Sequence, residues 1–113
     1  MGKHTDLLLD GWRRGDRQMI LGALADDFVY EDPVDGSFSG VEFEAYLEEM
    51  LGAGSPPGGF EAITDVVTVE RDGEELTWGW WKTLDGSAQE GAGLVKARPD
   101  GVYLERVTYF TLE

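Results

Sequence analysis

Three Asp-Gly dipeptides, Asp72-Gly73, Asp85-Gly86 and Asp100-Gly101, constrain this chain more than any other feature. Asp-Gly accepts positive φ at both central positions of a tight turn, and the twist of that turn matches two antiparallel strands. Each dipeptide separates runs rich in β-branched and aromatic residues: Ala62 to Arg71, Glu75 to Leu84, Gln89 to Arg98 and Val102 to Leu112. Strands joined in this way form an antiparallel meander.

The first half of the chain has helical spacing. Thr5 or Asp6 can cap a first helix carrying Leu7, Leu8, Leu9 and Trp12, stopped by Gly15. Asp16 can cap a second, with Met19, Ile20, Ala23 and Leu24 on one side, ending near Asp26-Asp27. Phe28 to Glu31 reads as a short strand halted by Asp32-Pro33, because proline cannot donate to a ladder. After a turn at Val34 to Ser37, and a strand stub at Phe38, a third helix presents Phe43, Leu47, Met50 and Leu51, with Tyr46 beside them. Gly52 to Gly59 is a loop. Helices followed by a meander, in 113 residues, predict one α+β domain spanning 1–113.

Taking the last two Asp-Gly pairs as two-residue turns assigns the sheet faces. Trp80 then lies opposite Gly91, Trp78 opposite Gly93, and Val95 opposite Arg106. The face toward the helices would hold Trp78, Trp80, Gly91, Gly93, Arg106 and Phe110. Its glycines either make room for the indoles or border a cavity. The opposite face would hold Trp81, Leu94, Val107 and Tyr109, an apolar patch that a homodimer through the sheet would cover. An odd-length connection would exchange these faces.

Composition excludes several functions. A formal net charge of −14 argues against nucleic acid and against an anionic membrane surface, since both require a basic patch. The chain has no cysteine, so disulfides, thiolate metal sites and cysteine nucleophiles are ruled out. The acidic residues Asp26, Asp27, Glu31, Asp32 and Asp35 lack the spacing of a calcium loop, and no phosphate loop or serine elbow is present. No metal or organic cofactor is expected. The N-terminal residues lack the apolar run of a secretion signal, so the expectation is a cytoplasmic protein.

The stretch LADDFVYEDPVDGSFSG, Leu24 to Gly40, followed by an amphipathic helix, resembles the ketosteroid isomerase and SnoaL-like polyketide cyclase families of the nuclear-transport-factor-two-like superfamily. The Gly15-Asp16 break and GLVKARPDGVYLERVTYF, Gly93 to Phe110, fit the same pattern, so the resemblance spans nearly the whole chain. It implies a cystatin-like cone: N-terminal helices packed on a curved antiparallel sheet, enclosing an apolar pocket. It also implies that Asp32 acts as a general base, removing a proton α to a ketone. The isomerases' Tyr and neutral Asp, which stabilise the dienolate, fall here on Leu8 and Gly93, so neither donor is present. The cyclases' Asp after an aromatic pair is replaced by Thr111, and the superfamily's epoxide hydrolases would need two carboxylates beside Arg106.

The expected function is therefore a cofactor-free small-molecule protein, isomerase- or cyclase-like, acting on an apolar carbonyl compound with Asp32 as base. Trp12, Tyr30, Trp78, Trp80, Arg106 and Phe110 are the expected pocket residues. The alternative is a non-catalytic ligand-binding or protein-interaction module with the same cone.

Overall fold

A computed structural model describes residues 2–52, 59–84 and 86–111. Helix α1 (Lys3–Arg14) ends at Gly15, whose φ of 70° lets the chain reverse. Helix α2 (Arg17–Gly22) is capped by Asp16, whose side chain accepts from the Met19 N–H at 3.1 Å. The second helix stops two residues short of Leu24, which instead opens strand β1 (Leu24–Asp32). Strand β2 (Gly36–Ser39) hairpins back on β1 and leads into α3 (Val41–Leu51). The meander follows as β3 (Glu61–Arg71), β4 (Glu74–Thr83), β5 (Glu90–Arg98) and β6 (Gly101–Tyr109). Most of the 52–59 loop lies outside the described residues, as do Asp85 and Leu112.

All six strands form one curved, unclosed sheet in the order β2-β1-β6-β5-β4-β3. The meander is antiparallel throughout, as its turns require. The sheet as a whole is mixed, however, because β1 joins β6 in parallel. Gly101 permits that junction: a Cβ there would lie 2.7 Å from Ala25 N and 2.9 Å from Leu24 C. The helices pack on the concave face. Leu8 and Trp12 of α1, Ile20 of α2, and Phe43 and Leu47 of α3 meet Phe28, Tyr30, Val95, Ala97 and Val102 of the sheet. No helix among the described residues is long and apolar enough to cross a membrane.

The three Asp-Gly pairs behave differently. Asp72 and Gly73 both have positive φ, 54° and 81°, and join Arg71 to its partner Glu74 as a two-residue turn. The second pair lies in a longer connection: Thr83 N–H donates to Gln89 O at 2.9 Å, leaving residues 84–88, an odd number, between the strands. At the third, Arg98 pairs with Gly101, so the turn is Pro99-Asp100. That change alone preserves the predicted faces. A bulge then reverses them: Ala97 pairs with Val102 but Lys96 with Leu104, so Tyr103 is the extra residue.

The odd connection and the bulge correct the faces of β4 and β6. Trp78 and Trp80 point outward, 42% and 50% exposed, as does Phe110 at 56%. Trp81, Glu105, Val107 and Tyr109 take the inner positions instead. The interface set of Trp81, Leu94, Val107 and Tyr109 therefore does not form, because three of its four members face the helices. The outer face is apolar all the same, with Val67 and Val69 exposed beside the two tryptophans and Phe110.

Candidate functional site

Between the concave face and the helices lies a cavity of about 180 Å³. Leu9 and Trp12 come from α1, Met50 from α3, Phe60 and Ile63 from the start of the meander, and Trp81, Val95, Val107 and Tyr109 from later strands. Gly91 makes this wall possible, since a Cβ there would lie 2.9 Å from Trp81 Cζ2 and still closer to Thr108 O. The Trp81 indole instead lies across β5, edge-on to the Tyr109 ring, with centroids 5.1 Å apart and planes at 85°.

One carboxyl is set into the apolar part of this wall. Glu105 is 6% exposed, and its Oε1 accepts from Trp12 Nε1 at 3.1 Å. No other protein donor reaches it among the described residues. Burial disfavours the charged form and pushes its pKa up from 4.5 to about 8, while the Trp12 hydrogen bond pulls the other way. At neutral pH this carboxyl holds its proton. Tyr30, its cross-strand partner on β1, also borders the cavity.

Asp32 has a different environment. It too is buried, at 8% exposure, but it does not line the cavity. Its Oδ1 accepts from the Val34 and Asp35 backbone N–H groups at 2.8 and 2.6 Å, the Asx-type turn that Pro33 favours. Its Oδ2 accepts from Tyr30 Oη at 2.9 Å and Tyr46 Oη at 3.3 Å. Burial raises both phenols' pKa values above the ordinary range, and that of Tyr109 to about 12, so all three keep their protons. Four donors occupy the carboxylate, and a substrate proton could reach it only by displacing one of them.

Of the expected pocket residues, Trp12 and Tyr30 are in place. Trp78 and Trp80 border the cavity through the strand they share, while their side chains are substantially exposed on the far face. Phe110 packs against Trp80 there, with centroids 5.5 Å apart. Arg106 is exposed and donates to Glu31 at 3.0 Å, so it meets neither Asp32 nor the cavity. The donors available to a bound oxygen are correspondingly few. Tyr30 and Tyr46 are engaged with Asp32 and Trp12 with Glu105, whereas Trp81 Nε1 is buried without a partner among the described residues. No group of three or more His, Asp or Glu able to hold a metal ion occurs among the described residues.

Sequence reasoning missed Glu105, although a signal existed. Glu105 and Arg106 are adjacent on a strand, so whichever parity holds, one of the two charges must face the helices.

No protein-family model matches the chain, and no curated protein matches it. Solved structures do match. An NTF2-like protein of unknown function from Pseudomonas putida KT2440 superposes with a TM-score of 0.76 at 17% identity, covering 94% of this chain and 81% of that one. A protein of unknown function with a cystatin-like fold from Methylobium petroleophilum PM1 gives 0.74 at 15%, covering 98% and 76%. A provisionally assigned ketosteroid isomerase from Parabacteroides distasonis ATCC 8503 gives 0.72 at 15%, covering 95% and 85%. At such identities the likeness is one of fold, and the fold of this chain is the cystatin-like cone of NTF2-like proteins.

Proposed function

We propose that the protein binds a small, largely apolar ring compound in the cone and exchanges a proton with it through Glu105. The observation that carries this reading is a carboxyl buried in an apolar cavity with a single hydrogen bond, held near the protonation midpoint useful to a general acid or base. The cavity sets the ligand's size. About 180 Å³ is comparable to an apolar cavity of about 150 Å³ that holds benzene, so one ring fits.

In its catalytic form the protein is isomerase- or cyclase-like, and the base is Glu105, not Asp32. The carboxylate would take a proton α to a carbonyl and return it at a second carbon, with no cofactor. Isomerisation of 3-cyclohexenone to 2-cyclohexenone tests this form. The rate should rise as pH passes about 8, where Glu105 loses its proton, and should vanish in Glu105→Gln. No rate above buffer leaves the non-catalytic form, a ligand-binding module.

A second reading concerns the outer face. Trp78, Trp80 and Phe110, all exposed and flanked by Val67 and Val69, favour a homodimer through the sheet. Trp80→Glu should convert a dimer to monomer in light scattering. A wild-type monomer at tens of micromolar, roughly the range in which a stable interface persists, would count against the dimer.

A further inference from the structure

Two residues with carboxyl side chains, Glu61 and Glu105, border the cavity, and among the described residues no Lys, Arg or His does. Buried carboxylates are normally paired with a cation. Among the described residues Glu105 has none: its partner there is the Trp12 indole, and the neighbouring Arg106 faces away to Glu31. The surfaces around it are aromatic, from Trp12, Tyr30, Phe60, Trp81 and Tyr109. Aromatic faces attract cations, more strongly where water is excluded. A chain charge of −14 draws cations inward and repels anions.

We propose that the cavity is a site for a small organic ammonium ion, a primary amine carried on a single ring, with the ammonium against the free oxygen of Glu105 and the ring against the aromatic wall. This rests on the reading that the cavity holds a small molecule at Glu105, and it names the class of that molecule. Burying an ion pair usually costs the hydration of both partners. Here folding has already stripped water from the carboxyl, so binding must dehydrate the ammonium and, at neutral pH, ionise the carboxyl, while the aromatic faces replace part of the ammonium's shell. Glu105 is protonated before binding at neutral pH, so seating the ammonium sends one proton from the carboxyl to solvent.

Calorimetry with three isosteric probes, cyclohexylamine, cyclohexanol and cyclohexanecarboxylate, tests the proposal on the wild type and Glu105→Gln. The amine is an ammonium below about pH 10, like a lysine side chain. Its affinity should rise about tenfold per pH unit between pH 6 and 7.5, level off above about 8, and carry the release of nearly one proton at pH 7. Glu105→Gln should cost the amine about tenfold or more and flatten its pH slope, while uncharged cyclohexanol should lose far less and show no pH slope. The carboxylate should not bind. An amine affinity that is flat or falls with pH, or that is no better than that of cyclohexanol, overturns the proposal while the cavity reading stands. Failure of both the amine and the alcohol to bind at millimolar concentration overturns both. The pH slope of the wild type decides the matter even if Glu105→Gln does not fold.

Discussion

Asp32 and Glu105 sit on neighbouring strands of the same cone, both on its inner side and almost equally buried, at 8% and 6% exposure. Asp32 receives four hydrogen bonds and Glu105 one. The contrast lies in how each site is supplied. The turn that Pro33 begins delivers two backbone donors to Asp32 from residues two and three positions on. Strand alternation sets Tyr30 beside it, and α3 brings Tyr46. Glu105 lies in mid-strand, where the ladder consumes the backbone donors, so its one partner comes from α1. Burial alone therefore does not mark a reactive carboxyl, because the local supply of donors decides whether burial leaves a group satisfied or poised.

The most direct way to break this comparison is a pH series of stability. Glu105 has a folded-state pKa above its unfolded value, so the folded form holds the extra proton between pH 4.5 and about 8. Its contribution is fully present below pH 4.5 and is lost as pH rises through about 8. The loss should total roughly 3–6 kcal/mol. Denaturant unfolding from pH 4 to 9 should show this decline, and Glu105→Gln should remove most of it. A wild-type profile that rises across this window would mean that Glu105 is as well satisfied as Asp32.

Asp32→Ala comes next in size. It leaves two phenol hydroxyls and two backbone N–H groups without their acceptor, at a cost of about 3 kcal/mol. The variant should unfold at lower denaturant yet keep the Glu105 pH midpoint and, once folded, still bind cyclohexanol. Loss of binding in a folded Asp32→Ala protein would return the central role to Asp32.

The same division between local and distant supply explains what the sequence makes legible. The cap at Asp16, the stop at Gly15 and the turn at Asp72-Gly73 are set by residues within four positions of one another, and each forms as its local signal implies. The cone is implied by the family resemblance, whereas the order of helices and meander follows from such signals. Strand parity does not. It depends on the odd count of residues 84–88 and on the bulge at Tyr103, where neighbouring strands, not local sequence, set the geometry. Those two features carried Trp78, Trp80, Arg106 and Phe110 to the outer face and brought Glu105 inside. The parallel junction of β1 with β6 was hidden for the same reason, since it joins segments far apart in the chain.

Trp12→Phe sharpens the comparison by removing the one donor to Glu105 among the described residues. The ring still fills most of the indole's place, so the expected stability loss is about 2 kcal/mol, from the hydrogen bond and a small cavity together. The diagnostic effect is on titration. Without the indole N–H, nothing offsets desolvation, so the Glu105 midpoint in carboxyl NMR should move above its wild-type position near 8. A downward shift would show that water enters and that the cavity is wetter than its walls suggest.

Tyr46→Phe makes the matching change at Asp32, where the effect should be smallest. Tyr46 Oη reaches Asp32 Oδ2 at 3.3 Å and Asp35 Oδ2 at 3.3 Å, both long for a hydroxyl donor and therefore weak. Its ring does more, stacking on Phe38 with centroids 4.7 Å apart and tilting against Tyr30 at 5.2 Å, contacts that phenylalanine keeps. Asp32 would retain Tyr30 Oη and both turn N–H groups. The expected loss is about 0.5 kcal/mol, read as a small shift in denaturant midpoint with an unchanged slope. If Tyr46→Phe costs as much as Trp12→Phe, the donors around Asp32 act as one cooperative unit, and redundancy of supply no longer separates the two carboxyls.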